Sequence, residues 1–154
     1  MKVIVPGSYD PVTLGHLDII RRAAEEYEQV YAVIFVNPEK KYTFSLDDRV
    51  RMLILATDEY DNVMVSYSNG MVVDYMREHG IEKIVKGYRN EKDYAYELRQ
   101  AEYNMTYGGY ETELKECNEA LGSVSSTIAR EKIAAGESLD GILPPSVIEY
   151  ISRM

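Results

Sequence analysis

The chain has 154 residues and a mass of 17.6 kDa, and its 17 Lys and Arg against 26 Asp and Glu give a formal net charge of −9. Apolar residues at 45% exclude a disordered chain, the length suits one domain over residues 1–154, and the acidic balance excludes a broad nucleic-acid surface while leaving room for a small basic pocket. One cysteine and two histidines exclude a disulfide framework and argue against a zinc site. The N-terminus is too short in apolar residues for a signal peptide, and no run approaches the ~20 apolar residues of a membrane span. The expectation is a cytoplasmic chain with neither nucleic acid nor membrane as partner.

Lys2 to Val5 reads as a buried strand that Pro6-Gly7 ends. Leu17, Ile20, Ala24 and Tyr27 recur at helical spacing, which predicts a helix over 14–27. Val30 to Val36 is nearly unbroken in apolar residues, as in a strand buried on both faces. Ser45 with Asp48 resembles a capping box for a helix carrying Leu46, Val50, Leu53 and Ile54. Val63 to Tyr67 predicts a third strand, and Met71 to His79 a helix closed by Gly80. Ile81 to Val85 is the fourth strand. Tyr94, Leu98, Ala101 and Met105 mark another helix, broken by Gly108-Gly109, before a weak, charged fifth strand over 112–115. Ser125-Ser126-Thr127 caps a helix to about Ala135, and Pro144 opens a last one through Tyr150. Five strands alternating with helices predict an α/β domain: a Rossmann-like, doubly wound, five-stranded parallel sheet with helices on both faces.

Ligands of such a sheet bind beyond the carboxyl ends of its strands. Four segments leave that edge with unusual composition: 6–16 after the first strand, Asn37-Pro38-Glu39-Lys40-Lys41 after the second, Lys86-Gly87-Tyr88-Arg89 after the fourth, and 122–127 after the fifth. Cations, small residues and hydroxyls converging there suggest a bound polyphosphate. The first segment lacks both the G-x-G-x-x-G and the G-K-[ST] patterns. It instead puts Thr13, Gly15 and His16 at a helix start, where N–H groups favour an anion. Each residue also has a plainer reading. Thr13 could only cap a helix, Lys40-Lys41 could be a solvated pair, and Arg89 could pair with Asp93 or Glu97 on a helix surface for ~0.3–0.5 kcal/mol. Ser125 to Thr127 could be a redundant cap.

The run G-S-Y-D-P-V-T-L-G-H resembles the motif of the [HT]-x-G-H nucleotidylyltransferases. Within them, N-P-E-K-K-Y-x-F-S with D-D-R-V, G-M-V-V-D-Y, V-K-G-Y-R-N-E-K-D-Y-x-Y-E and S-V-S-S-T make nearly the whole chain similar to bacterial phosphopantetheine adenylyltransferases. The resemblance implies transfer of AMP from ATP to 4′-phosphopantetheine, giving dephospho-coenzyme A and pyrophosphate, with Mg2+ carried mainly by ATP. It implies catalytic roles for His16 and Lys40. ATP would meet Ser8, Tyr9, His16, Gly87, Tyr88, Arg89 and Glu97, together with Leu121, Gly122, Ser123, Val124, Ser125, Ser126 and Thr127. The acceptor would meet Ser8, Lys40, Val72 and Lys86. The family also implies a homohexamer.

Two positions and one strand depart from the family pattern. Lys86 stands for an arginine, Leu121 for an aromatic residue, and the fifth strand is unusually polar. The alternatives are another T-x-G-H nucleotidylyltransferase with a different phosphate acceptor, and a nucleotide-binding sensor without catalysis. The attacking phosphate is an anion near pH 7, so direct in-line transfer needs positioning and charge neutralisation rather than a base or nucleophile. Cys117 is dispensable in that chemistry.

Overall fold

A computed structural model describes residues 1–154. Runs that are apolar at every position bury both faces of a strand. Here β1 (Lys2–Gly7), β2 (Gln29–Phe35), β3 (Val63–Ser68), β4 (Lys83–Tyr88) and β5 (Glu111–Glu116) form one parallel sheet in the order β3-β2-β1-β4-β5. Helices α1 (Leu14–Glu26), α2 (Leu46–Thr57), α3 (Val72–His79) and α4 (Glu91–Gly108) alternate with the strands, and α5 (Ser126–Ala135) and α6 (Pro145–Ser152) follow β5. This is the Rossmann-like, doubly wound α/β arrangement that the alternation predicts.

The pleat sorts each strand between two cores. Val3, Val5, Val30, Ala32, Ile34 and Val85 meet Ile19, Ile20 and Ala23 of α1, Met52 and Leu53 of α2, Ala129 of α5 and Val147 of α6. Ile4, Tyr31, Val33 and Ile84 face the other way, onto Tyr75 and Met76 of α3 and onto Ile81. Each fully buried Ile or Leu contributes about 1.5–3 kcal/mol relative to exposure. Helix α4 lies beside α3 and against β4 and β5, and buries none of its residues fully.

Several boundaries differ from the sequence reading. β1 does not end at Pro6-Gly7: it stays paired with β2 through Gly7, opposite Ile34. It pairs with β4 only at Val3 and Ile4, so the two strands part beyond Ile4, and Pro6, which has no N–H to donate, lies in that part of β1. β4 begins at Lys83 rather than Ile81, because Gly80 turns left-handed (φ 66°) and the Ile81 N–H closes α3 on the Met76 carbonyl. Consequently Lys86, Gly87 and Tyr88 belong to the strand rather than to a loop after it. Pro144 is the N-cap of α6, whose first residue is Pro145. β5 is longer than expected because its charges are paired: Lys115 Nζ donates to both Glu26 carboxylate oxygens at 2.8 and 2.9 Å, and the Tyr27 hydroxyl donates to Glu113 at 2.7 Å.

Candidate active site

The strand order reverses between β1 and β4, and the divergence of these two strands opens the crevice where an α/β sheet binds its ligands. A cavity of about 500 Å3 lies there, adjoined by a second of about 250 Å3. Pro6, Lys86, Tyr96 and Glu97 line both, and so form the wall they share.

Ten of the sequence-predicted residues line the larger cavity: Tyr9, His16, Lys86, Gly87, Arg89, Glu97, Val124, Ser125, Ser126 and Thr127. Ser8 and Val72 line the smaller one, again with Lys86 and Glu97. Lys40, Tyr88, Leu121, Gly122 and Ser123 line neither. Lys40 is exposed in the loop after β2, with its ammonium 5.5 Å from the centre of the Tyr42 ring. Tyr88 packs edge-on against Tyr94 at 4.9 Å. Leu121 ends a 3-10 turn, Glu119–Leu121, which the sequence reading did not include.

His16 is fixed by the helix it begins. Thr13 is the N-cap of α1, and its Oγ1 accepts from the His16 N–H at 3.3 Å. In return His16 Nδ1 accepts from the Thr13 N–H at 3.0 Å. This reciprocal capping box has histidine in the place usually held by Glu or Gln. An acceptor Nδ1 puts the proton of the neutral ring on Nε2, so Nε2–H is the donor left for a ligand. Desolvation above all, with the nearby Lys86 and Arg89 charges acting in the same direction, lowers the imidazole pKa to about 4. The ring is therefore neutral at pH 7. Tyr9 braces it at 4.9 Å between ring centres, from a left-handed backbone (φ 48°), with its hydroxyl donating to the Val5 carbonyl at 2.7 Å. Burial pushes that hydroxyl's pKa up.

The cavity cations are partly neutralised by carboxylates in the same wall. Lys86 Nζ lies 3.5 Å from Glu97 and 3.4 Å from the Pro6 carbonyl. Burial pushes the Glu97 carboxyl up, against the downward pull of Lys86. Arg89 Nε donates to Asp93 at 2.9 Å. The i,i+4 pairing considered for Arg89 is thus present with Asp93, while Glu97 turns to Lys86.

The start of α5 closes the other side. Ser125 Oγ accepts from the Ile128 N–H at 3.1 Å, and Ser126 Oγ donates to the Pro11 carbonyl at 2.9 Å. Arg130 donates to the Asp10 carbonyl at 2.9 Å, so α5 is docked on the loop after β1. Ser126 gives its hydroxyl hydrogen to the protein, whereas Ser125 only accepts, so the Ser125 O–H and the N–H groups of Ser126 and Thr127 are the donors left at the start of the helix.

Sequence reasoning missed the supports of this site. Arg49 is 2% exposed, donates to the Phe44 carbonyl at 3.2 Å and the Ser8 carbonyl at 3.0 Å, and stacks 3.9 Å from the Tyr42 ring. The Asp10 carboxylate accepts from the Thr43 and Phe44 N–H groups at 2.8 and 2.9 Å. Together they clamp the loop after β1 to the loop that carries Lys40. The available signal was D-D-R-V, which sets an arginine beside the apolar stripe of α2. Gly87 is dictated by packing: a Cβ there would lie 2.6 Å from Ile19 Cγ1.

Residues 4–132 match the cytidylyltransferase-like family model. Three proteins named phosphopantetheine adenylyltransferase are similar to the chain. One, from Corynebacterium efficiens, is 39% identical over 99% of this chain and 97% of its own. Another, from Thermobifida fusca, is 39% identical over 97% and 92%. The third, from Corynebacterium diphtheriae, is 40% identical over 97% and 95%. With the T-x-G-H capping box at the switch point of a five-stranded parallel sheet, these matches make the chain a member of the phosphopantetheine adenylyltransferase family, within the cytidylyltransferase-like proteins.

Proposed function

We propose that the chain transfers AMP from ATP to 4′-phosphopantetheine, releasing dephospho-coenzyme A and pyrophosphate, by direct in-line attack. The observation that carries this reading is the pair of adjoining cavities with a common wall of Pro6, Lys86, Tyr96 and Glu97. The larger suits the nucleotide and the smaller the pantetheine arm, so the two phosphates meet at Lys86. Lys86 offsets repulsion between two anionic reactants. His16 donates Nε2–H toward the α-phosphate as charge develops. The N–H groups at the start of α5, with Arg89, take the β- and γ-phosphates. Val72 lines the pantetheine arm, and Ser8 lies at the junction. Lys40 reaches the reacting phosphates by movement of its exposed loop.

No three His, Cys, Asp or Glu side chains come together as a metal cage. Mg2+ carried by ATP would be held by the nucleotide's phosphate oxygens and water. Bound with ATP, the ion supplies charge neutralisation on the phosphates. No helix is long and apolar enough to cross a membrane, and the half-buried, unpaired Cys117 favours a reducing compartment, the cytoplasm. Self-association is supported by Met64, Tyr67 and Met71, exposed at or beside the edge strand β3; the homohexamer rests on the family resemblance alone.

The test offers ATP with phosphopantetheine, with pantetheine lacking its phosphate, and with nicotinamide mononucleotide. Mass spectrometry identifies the products. Dephospho-coenzyme A from the first mixture alone supports the reading. A dinucleotide from the third reassigns the acceptor, and no product from any mixture supports a sensor.

A further inference from the structure

The larger cavity is lined by four Lys and Arg side chains and two carboxylates. Lys86 is paired with Glu97 and Arg89 with Asp93. The remaining two cations, Lys92 and Arg99, make no ion pair and are exposed at the cavity's α4 side. The cavity's net positive charge therefore comes from these two residues, in a chain whose overall charge of −9 repels nucleotides.

Their position on α4 supports a role in binding. Lys92, Tyr96 and Arg99 follow i, i+4, i+7 spacing, so they occupy one stripe of the helix. All three line the cavity. Lys92 is the second residue of α4, where the helix dipole disfavours a cation. Helix stability does not account for a lysine there. Seven residues separate Lys92 from Arg99, about 10 Å along the axis, so the two charges are spread along the cavity's α4 side. The spacing suits attraction at a distance.

We propose that Lys92 and Arg99 are electrostatic steering residues, which draw the polyphosphate of ATP into the larger cavity before Arg89 and the start of α5 engage it. This rests on the reading of that cavity as the nucleotide site. Steering acts on the association rate and fades as salt screens it.

The experiment is stopped-flow binding of a fluorescent methylanthraniloyl ATP, from about 10 to 100 mM salt, over which the Debye length falls from about 30 to 10 Å. Three forms are compared: the unaltered chain, K92Q/R99Q, and the control R51Q/R153Q. The control removes two cations that lie outside both cavities and are well exposed. At the low-salt end K92Q/R99Q binds about tenfold more slowly, with a flattened salt dependence. R51Q/R153Q matches the unaltered chain, and all three dissociate at similar rates. Equal slowing of both double variants would trace the effect to net charge and overturn the proposal, as would unaltered association in K92Q/R99Q. If the unaltered chain gives no saturable signal, the nucleotide reading fails, and the proposal with it.

Discussion

The ring of His16 and the backbone of Thr13 hold each other: the Thr13 N–H donates to His16 Nδ1 at 3.0 Å while Thr13 Oγ1 accepts from the His16 N–H at 3.3 Å. These two hydrogen bonds cap α1, set the tautomer and leave Nε2–H as the donor not used by the protein. Capping and the catalytic role proposed for His16 are therefore not rival explanations of T-x-G-H.

Replacing His16 by Ala removes a donor needed most as charge develops in transfer. The expected loss in kcat is roughly 10²–10³-fold, the scale for one oxyanion-type donor. The Kd for ATP, measured by calorimetry, changes far less. A kcat within a few-fold of the unaltered enzyme would reduce His16 to its capping role.

The same residue sets an acid limit on stability. Its folded pKa is lowered to about 4 from an ordinary 6.5, so between these values the unfolded chain binds more protons. The contribution of His16 is complete above about pH 6.5 and is lost progressively as pH falls toward about 4. In H16N that contribution is absent. Thermal melts from neutral to acid pH should show the unaltered chain losing more stability than H16N over this window, and parallel curves would contradict the burial argument.

Arg49 reaches two loops from α2, so its loss should be felt at a distance. Arg49→Ala leaves the Phe44 and Ser8 carbonyls without their donor and removes the stack on Tyr42. The expected cost is about 2–3 kcal/mol in urea unfolding. Limited proteolysis should cut the loop after β2 more readily. An unchanged midpoint and cleavage pattern would show that Asp10 suffices to hold the loops.

Lys86 stands in the wall between the cavities, where the proposed reaction brings the acceptor phosphate to the nucleotide. Lys86→Ala should raise the KM for phosphopantetheine on the order of tenfold to a hundredfold, equivalent to about 1.5–3 kcal/mol for one charge-assisted contact. The KM for ATP should hold nearly constant. Lys86→Arg retains activity, because the cation remains and gains a two-bond fork. Steady-state kinetics with each substrate varied in turn decides this, and a rise in the ATP KM alone would move Lys86 to the nucleotide site.

Apolar periodicity made the sheet, its helices and their order legible in the sequence. The misplaced edges have local causes. Pro6 and Gly7 read as a stop, yet β1 keeps its pairing to β2 on one side while leaving β4 on the other. Lys115 reads as an interruption, yet its ion pair with Glu26 lets a charged residue sit in β5. Motif residues from four distant segments could be expected at one edge because parallel strands put their carboxyl ends together. What periodicity could not disclose was pairing. Nothing in the spacing says that Glu97 turns to Lys86 rather than Arg89, or that Arg49 lies buried under Ser8. Nor does it reveal that Ser126 gives its hydroxyl to the Pro11 carbonyl, because each of these pairings depends on contacts between separate elements.

Pyrophosphate release tests the central claim of direct transfer between two adjoining cavities most directly. With ATP and phosphopantetheine together, pyrophosphate and dephospho-coenzyme A should appear in equal amounts, and ATP alone should yield no pyrophosphate, even as a single-turnover burst. A burst from ATP without acceptor, leaving AMP on the protein, or no pyrophosphate with both substrates present, would contradict the account.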